Sequence, residues 1–340
     1  LLESEDVIAT ADALKTLGIN IIKKNKLWEV YGNGIGNLTG SNFRLDMGNS
    51  GTGSRLLMGL LAGSDVEATI LGDESLSKRP MNRIIKPLLQ TGAIFDDPNN
   101  NNLPVRIRGT KIPLPIEYLS PVASAQIKSC ILLTGLSSTG NTSIIEPNLS
   151  RDHTERMLKY FGAKISTTQL YDSKWKITLE GLPKLKSLDI EVPSDPSSAA
   201  FPIVASLITP NSRIKVLNVC INELRIGLYK SLIDMGANIS FSNKREINGE
   251  LIADITASYS FLKGTKIPKS RVPSMIDEYP ILCIAAVKAQ GSTVLEGVEE
   301  LRHKESDRIK AMEDGLRSVG ISVSSTNNSI HITGGKILGG

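Results

Sequence analysis

Aromatic residues are scarce in this chain: phenylalanine, tryptophan and tyrosine together make up 4% of its 340 residues. Basic residues form no stripe, and 39 lysines and arginines face 35 aspartates and glutamates, a formal net charge of +4. Nucleic-acid binding calls for stacking platforms or a basic footprint, so that class is excluded. No stretch approaches the roughly 20 apolar residues of a membrane span. With 40% hydrophobic and 22% charged residues, the composition predicts a soluble globular protein, expected in the cytoplasm. The three cysteines, Cys130, Cys220 and Cys283, lie far apart, each in an apolar run, which predicts buried thiols in a reducing compartment rather than disulfides. His153, His303 and His331 stand at no metal-ligating spacing from cysteines or acidic residues, so no metal is expected. A Gly-x-Ser-x-Gly elbow is missing, and no local cue marks a Cys–His pair, which leaves acyl-enzyme chemistry without an anchor. A starting methionine is missing too, and the chain stops after a strand-like segment at Gly340. Sequence beyond both ends is therefore expected, and a plastid transit peptide is left open.

What the chain does have is length and repetition. At 340 residues it exceeds the roughly 250 to 300 at which single cores stop growing, so two domains are expected. One pattern recurs in ALKTLGINI, PLLQTGAIF, MLKYFGAKI, SLIDMGANI and GLRSVGISV: an amphipathic helix, a glycine, then a strand. The glycines are Gly18, Gly92, Gly162, Gly236 and Gly320, each placed where a helix C-terminal cap takes positive φ. Between the copies lie more uniformly apolar helices at 50–62, 124–136, 197–208 and 276–289, predicted to be buried. Strands are predicted after them at 68–76, 142–149, 213–219 and 292–301. The unit is strand, buried helix, strand, exposed helix, strands, an α/β arrangement returning about every 75 residues. Four complete copies with fragments at both ends suggest an original six in two domains of three. The boundary is expected near Glu191-Val192-Pro193, giving domains 1–192 and 193–340.

Charge gathers at corresponding points of successive repeats, in the loops that enter the exposed helices. These are Lys78-Arg79-Pro80, Ser150-Arg151-Asp152-His153, Asn222-Glu223-Leu224-Arg225 and Lys304-Glu305-Ser306-Asp307-Arg308. Helix N-termini present free N–H groups and a positive dipole end, so cations placed there make anion sites. A single such residue is more often simply solvated; recurrence shifts the balance. The turn Gly48-Asn49-Ser50-Gly51-Thr52-Gly53-Ser54-Arg55 lets backbone approach a phosphate or carboxylate, without being a Walker A motif. Ser124-Ala125-Gln126 places a hydroxyl and an amide at another helix entry, and Asp195-Pro196-Ser197-Ser198 and Ile276-Asp277-Glu278 place carboxylates. Taken alone, each of these is first of all an N-cap.

Together these segments resemble one family, the 5-enolpyruvylshikimate-3-phosphate (EPSP) synthases. Asn49 to Arg55 is similar to the family's Asn-x-Gly-Thr-x-x-Arg, and Lys78-Arg79-Pro80-Met81 to its Arg-Pro loop. Ser150 to Met157 is similar to a signature of its bacterial branch, and Leu301 to Ile309 to its most specific motif. The resemblance covers the whole chain in the family's order. It implies two domains of repeated βαβαββ units, the enolpyruvyl transferase inside-out α/β barrel, with the active site in the cleft between them. It further implies transfer of the enolpyruvyl group of phosphoenolpyruvate to 3-phosphoshikimate, without a cofactor, in a monomer subject to inhibition by glyphosate. Carried over by position, Gly51, Arg79, Gln126 and Arg308 are implied phosphoenolpyruvate contacts. Ser124, Ala125, Gln126, Ser150, Asp277 and Lys304 are implied 3-phosphoshikimate contacts, Ala125 standing where some members have a second serine. Asp277 is the candidate acceptor of the hydroxyl proton, and Glu305 the candidate for the proton at C3. The family's N-terminal Lys-Ser-x-x-x-Arg segment and C-terminal Asp-His-Arg motif have no counterpart in these residues, so weak turnover and reduced stability are expected of the 340 residues alone. Two rivals remain: the sister transferase acting on UDP-N-acetylglucosamine, which presents a reactive cysteine in a glycine-rich loop, and a non-catalytic protein of the same fold.

Overall fold

The computed structural model describes residues 2–303 and 306–339. The chain divides into two compact bodies, Leu1–Leu188 and Asp189–Gly340. That division lies four residues before the boundary expected at Val192. The cause is local: Glu191 N–H donates to Asn248 Oδ1 at 2.8 Å and Asn248 Nδ2 to the Asp189 carbonyl at 3.3 Å, tying 189–191 to a turn of the second body.

The first body opens with helix α1 (Glu5–Thr16) and the antiparallel pair β1 (Asn20–Lys24) and β2 (Leu27–Tyr31). A first full repeat follows: β3 (Thr39–Asp46), α2 (Gly51–Ala62), β4 (Asp65–Leu71), α3 (Glu74–Ser77), α4 (Asn82–Gln90), β5 (Ile94–Phe95) and β6 (Val105–Arg108). The second is β7 (Glu117–Leu119), α5 (Ala125–Gly135), β8 (Asn141–Glu146), α6 (His153–Tyr160), β9 (Ile165–Gln169) and β10 (Trp175–Glu180). The sheets order as β3-β4-β6-β5 and β7-β8-β10-β9, with the first pair of each parallel and the rest antiparallel. A parallel pair needs a crossover, and the apolar helices α2 and α5 supply it.

The second body repeats the scheme. Helix α7 (Pro196–Ile208) leads to β11 (Arg213–Cys220), α8 (Gly227–Asp234), β12 (Asn238–Ile247) and β13 (Glu250–Ser258), paired β11-β13-β12. The place of a leading strand is marked only by a parallel bridge between Ser194 and Val219. The last repeat is β14 (Lys266–Ile267), α9 (Tyr279–Val287), β15 (Ser292–Glu296), α10 (Arg308–Ser318), β16 (Val323–Ser325) and β17 (Ser329–Thr333), again ordered first, second, fourth, third. The five glycines that end the exposed helices all take positive φ, from +83° at Gly320 to +100° at Gly162, so the recurring signal is a run of left-handed caps. Each body encloses its own apolar core, the first around Met58, Leu61, Ile84, Ile131 and Ile177, the second around Ile203, Leu232, Ile255, Leu282 and Ile332.

Several predicted boundaries move, and the strand expected to reach Leu149 ends at Glu146. The strand expected to reach Leu76 stops at Leu71, because Asp73 accepts from Leu76 N–H at 2.7 Å and caps the short helix α3. The strand expected to reach Leu301 ends at Glu296, and Glu299–His303 form a 3-10 turn. The helix expected from Ile276 begins at Tyr279, where Pro280 occupies the first turn.

In the first body, α2 and α5 meet almost backbone to backbone. A Cβ added at Gly59 would lie 2.3 Å from the Cys130 carbonyl oxygen, and Thr134 Oγ1 donates to the Gly59 carbonyl at 2.8 Å. Gly59→Ala is therefore expected to force the helices apart and cost about 1–3 kcal/mol, read as a lower urea midpoint at unchanged slope. An unchanged midpoint would mean that the crossing has slack that the geometry denies.

Candidate functional site

The turn entering α2 is built by its own backbone. Asp46 Oδ1 accepts from Gly48 N–H at 2.9 Å, Gly48 takes φ +52°, and Ser50 caps the helix by accepting from Gly53 N–H at 3.1 Å. This brings Gly51 into the first turn of α2, where two guanidinium groups converge on it. A Cβ added there would stand 2.9 Å from Arg79 Nη1 and 3.2 Å from Arg55 Nη1, so the missing side chain is what lets two positive charges approach the backbone this closely.

Each arginine is held by neighbouring polar groups. Arg79 Nη2 donates to Asn49 Oδ1 at 2.7 Å, and Asn49 Nδ2 in turn donates to Asp73 Oδ2 at 2.7 Å. The Leu76 N–H, followed by Asn49, holds the Asp73 carboxyl below the usual carboxylate range. Arg55 Nη1 donates to Gln126 Oε1 at 3.0 Å and its Nη2 to the Pro80 carbonyl at 3.2 Å. Gln126 Nε2 donates to Thr52 Oγ1 at 2.8 Å. Three of the sequence-derived residues, Gly51, Arg79 and Gln126, thus fall in one cluster. Arg55 and Asn49, which bind it together, were part of the quoted motif but not among the candidate contacts. Arg55 could have been found: it lies one helical turn after Gly51, on the same face of α2.

Ser124 and Ala125 begin α5, where Ser124 Oγ accepts from Ile127 N–H at 3.5 Å and Ala125 is the first helical residue. Ser150 sits in the loop from β8 to α6 and is buried, 4% exposed. Its N–H donates to Glu146 Oε1 at 2.8 Å, its hydroxyl to Glu146 Oε2 at 2.8 Å, and its carbonyl accepts from Lys128 Nζ at 3.1 Å.

In the second body the candidates cluster at two helix starts. Arg308, first residue of α10, donates through Nη1 to Asp277 Oδ1 at 3.3 Å, so the candidate proton acceptor stands beside a cation. Asp307 caps α10, accepting from Lys310 N–H at 3.0 Å and from Arg302 Nη1 at 2.8 Å. Although desolvation pushes the Asp307 carboxyl upward, these donors hold it below its ordinary range. Glu278, next to Asp277, is buried against Ser197 Oγ, which also accepts from Arg225 Nη2 at 2.7 Å. Arg225 Nη2 donates to Asp195 Oδ1 at 3.1 Å as well. Arg225, Asp195 and Ser197 lie in segments the sequence marked as charged helix entries, though none was among the candidate contacts. Lys304 and Glu305 lie outside the described residues.

The fold is shared with known proteins. The family model for EPSP synthase (3-phosphoshikimate 1-carboxyvinyltransferase) matches residues 1–340. The chain belongs to the EPSP synthase family. Within that family it is 48% identical over 343 residues to the 3-phosphoshikimate 1-carboxyvinyltransferase of Parvibaculum lavamentivorans, covering all of this chain and 76% of that protein. It is 50% identical over 335 residues to the enzyme of the same name from Zymomonas mobilis, covering 98% of this chain and 74% of that one. Among solved structures, the EPSP synthase of Acinetobacter baumannii superposes with a TM-score of 0.85 at 45% identity, over 98% of this chain and 75% of that one. The α/β architecture of the EPSP synthase family is the one described above, and no helix among the described residues is long and apolar enough to cross a membrane.

Proposed function

We propose a division of roles within a 3-phosphoshikimate 1-carboxyvinyltransferase. The enzyme moves the carboxyvinyl group of phosphoenolpyruvate to the 5-hydroxyl of 3-phosphoshikimate and releases phosphate, in chorismate and aromatic amino acid biosynthesis. Gly51, Arg79 and Gln126, with Arg308, hold phosphoenolpyruvate. Ser124, the backbone at Ala125, Gln126, Ser150, Asp277 and Lys304 hold 3-phosphoshikimate. The observation that carries this reading is the pair of guanidinium groups converging on the bare Cα of Gly51, an arrangement suited to a small polyanion.

The chemistry follows from these placements. Asp277 takes the proton of the 5-hydroxyl as its oxygen adds to C2 of phosphoenolpyruvate, while C3 gains a proton from Glu305. The resulting tetrahedral adduct returns a C3 proton to Glu305 and expels phosphate, which takes the proton held by Asp277, so both carboxylates are restored and no covalent bond to the enzyme forms. Arg79 and Arg308 orient phosphoenolpyruvate and balance the charge on its phosphate as it leaves. The two bodies, 1–188 and 189–340, serve as the first and second enolpyruvyl transferase domains of a monomer that works in the cytoplasm.

The test is steady-state phosphate release by the full-length gene product with 3-phosphoshikimate or UDP-N-acetylglucosamine as acceptor. Release with 3-phosphoshikimate alone is expected; release with the nucleotide sugar alone would overturn the reading. The thiols separate the same two reactions. Cys130 and Cys283 are fully buried; burial pushes the Cys130 thiol up, Cys283 to about 12 and Cys220 to about 11. The native protein is expected to resist thiol reagents at pH 8 and keep its turnover, since thiolate is the reactive form. Rapid labelling with loss of activity would point to a nucleophilic cysteine. Glyphosate is expected to compete with phosphoenolpyruvate at Gly51, and inhibition that ignores phosphoenolpyruvate concentration would contradict that placement.

A further inference from the structure

Inside the first body, Lys128 is 0% exposed, in the middle of the apolar helix α5. A buried ammonium is costly unless each hydrogen finds an acceptor. Lys128 has three hydrogens and three oxygens around it: Glu155 Oε1 at 2.7 Å, Glu146 Oε1 at 3.2 Å and the Ser150 carbonyl at 3.1 Å. Glu146 is also 0% exposed. It closes the loop behind it like a staple, accepting from Ser150 N–H through Oε1 and from the Ser150 hydroxyl through Oε2. Nothing in apolar packing requires this arrangement. Its effect is to fix Ser150 by its amide, its carbonyl and its hydroxyl at once.

The polarity of that hydroxyl matters. A serine has a single hydroxyl hydrogen, and a carboxylate only accepts, so the hydrogen points at Glu146. A phosphate dianion also only accepts. We propose that Lys128 and Glu146 are positioning residues for Ser150, and that 3-phosphoshikimate binds by drawing the Ser150 hydrogen away from Glu146 to its phosphate. This rests on the assignment of Ser150 as a 3-phosphoshikimate contact.

The hydrogen bonds dictate a test by polarity. In Glu146→Gln the amide oxygen belongs where two donors already converge, at the site of Oε1, which places the amide nitrogen toward the Ser150 hydroxyl. The amide then donates to Ser150 Oγ, whose own hydrogen is set free for the phosphate. Lys128 keeps Glu155 as its counter-ion, so the fold is retained. Glu146→Ala instead removes the staple.

Steady-state constants for both substrates, measured on the full-length gene product, are expected to split. Glu146→Gln lowers KM for 3-phosphoshikimate severalfold, and Glu146→Ala raises it about tenfold, roughly the worth of one charge-assisted hydrogen bond. KM for phosphoenolpyruvate stays within about twofold in both. A role confined to stability would shift the melting temperature without this split. If Glu146→Ala does not fold, the sign of the Glu146→Gln effect decides: a raised or unchanged KM overturns the proposal. Ser150→Ala separates the layers. A selective rise in KM for 3-phosphoshikimate there, with no fall in Glu146→Gln, overturns the positioning inference alone. An unchanged KM in Ser150→Ala overturns the assignment of Ser150 and the inference with it.

Discussion

Replacing Arg79 by alanine is expected to lower kcat/KM for phosphoenolpyruvate by about 10²- to 10³-fold, the usual penalty for removing a preorganised donor from a site where charge develops. The Arg79 guanidinium is drawn toward Gly51 and braced by Asn49, itself braced by Asp73. Building that chain of contacts to hold a solvated surface charge would be wasteful, since exposed ion pairs contribute little stability. Arg79→Lys is expected to recover only part of the loss, because a point charge cannot replace a planar two-pronged donor. KM for 3-phosphoshikimate should change little. Wild-type kinetics toward phosphoenolpyruvate in a folded Arg79→Ala variant would remove Arg79 from the site.

The second large effect is expected at Asp277. Asp277→Asn keeps the size and the hydrogen-bonding edge of the side chain but cannot accept a proton. Loss of a positioned general base costs about 10²- to 10⁴-fold in kcat. Arg308, 3.3 Å from Asp277, retains an amide oxygen to bond, so folding and 3-phosphoshikimate binding should survive. The expected signature is a collapsed kcat with KM values near those of the parent protein. If KM for 3-phosphoshikimate rises strongly while kcat holds, Asp277 only binds the substrate and the proton goes elsewhere.

Much of the fold was legible because its signals are local. A glycine one step past an amphipathic helix is a backbone requirement, and Gly18, Gly92, Gly162, Gly236 and Gly320 all adopt the left-handed conformation that the pattern called for. The crossover helices were legible because apolar residues dominate them. Boundaries failed where a polar cap cut short an apolar run. Asp73 turns the chain into α3 three residues before Leu76, and alternation alone cannot show that an aspartate will accept from a backbone N–H. Pro196 and Pro280 mark the true starts of α7 and α9, and were the available cue.

The site divides in the same way. Gly51, Arg79 and Gln126 were chosen as candidates through motifs, and in the structure they share one hydrogen-bonded cluster with Arg55, Thr52 and Asn49. What no motif carried is support from a distance in sequence. Lys128 reads as a lone charge in an apolar helix. Its partners Glu146 and Glu155 lie in different elements, and only folding brings the three together. Burial pushes the Glu155 carboxyl up while Lys128 pulls it down, a balance that depends wholly on packing. The links among Arg225, Asp195, Ser197 and Glu278 were hidden for the same reason.

The most direct test of the central claim is a phosphorus NMR time course on the full-length gene product with phosphoenolpyruvate and 3-phosphoshikimate. The expected result is one inorganic phosphate formed for each phosphoenolpyruvate consumed, with the 3-phosphoshikimate signal replaced by that of a new phosphomonoester and no change when either substrate is left out. Phosphate released without 3-phosphoshikimate, or no consumption of either substrate by the folded protein, would contradict the assignment of carboxyvinyl transfer to this chain.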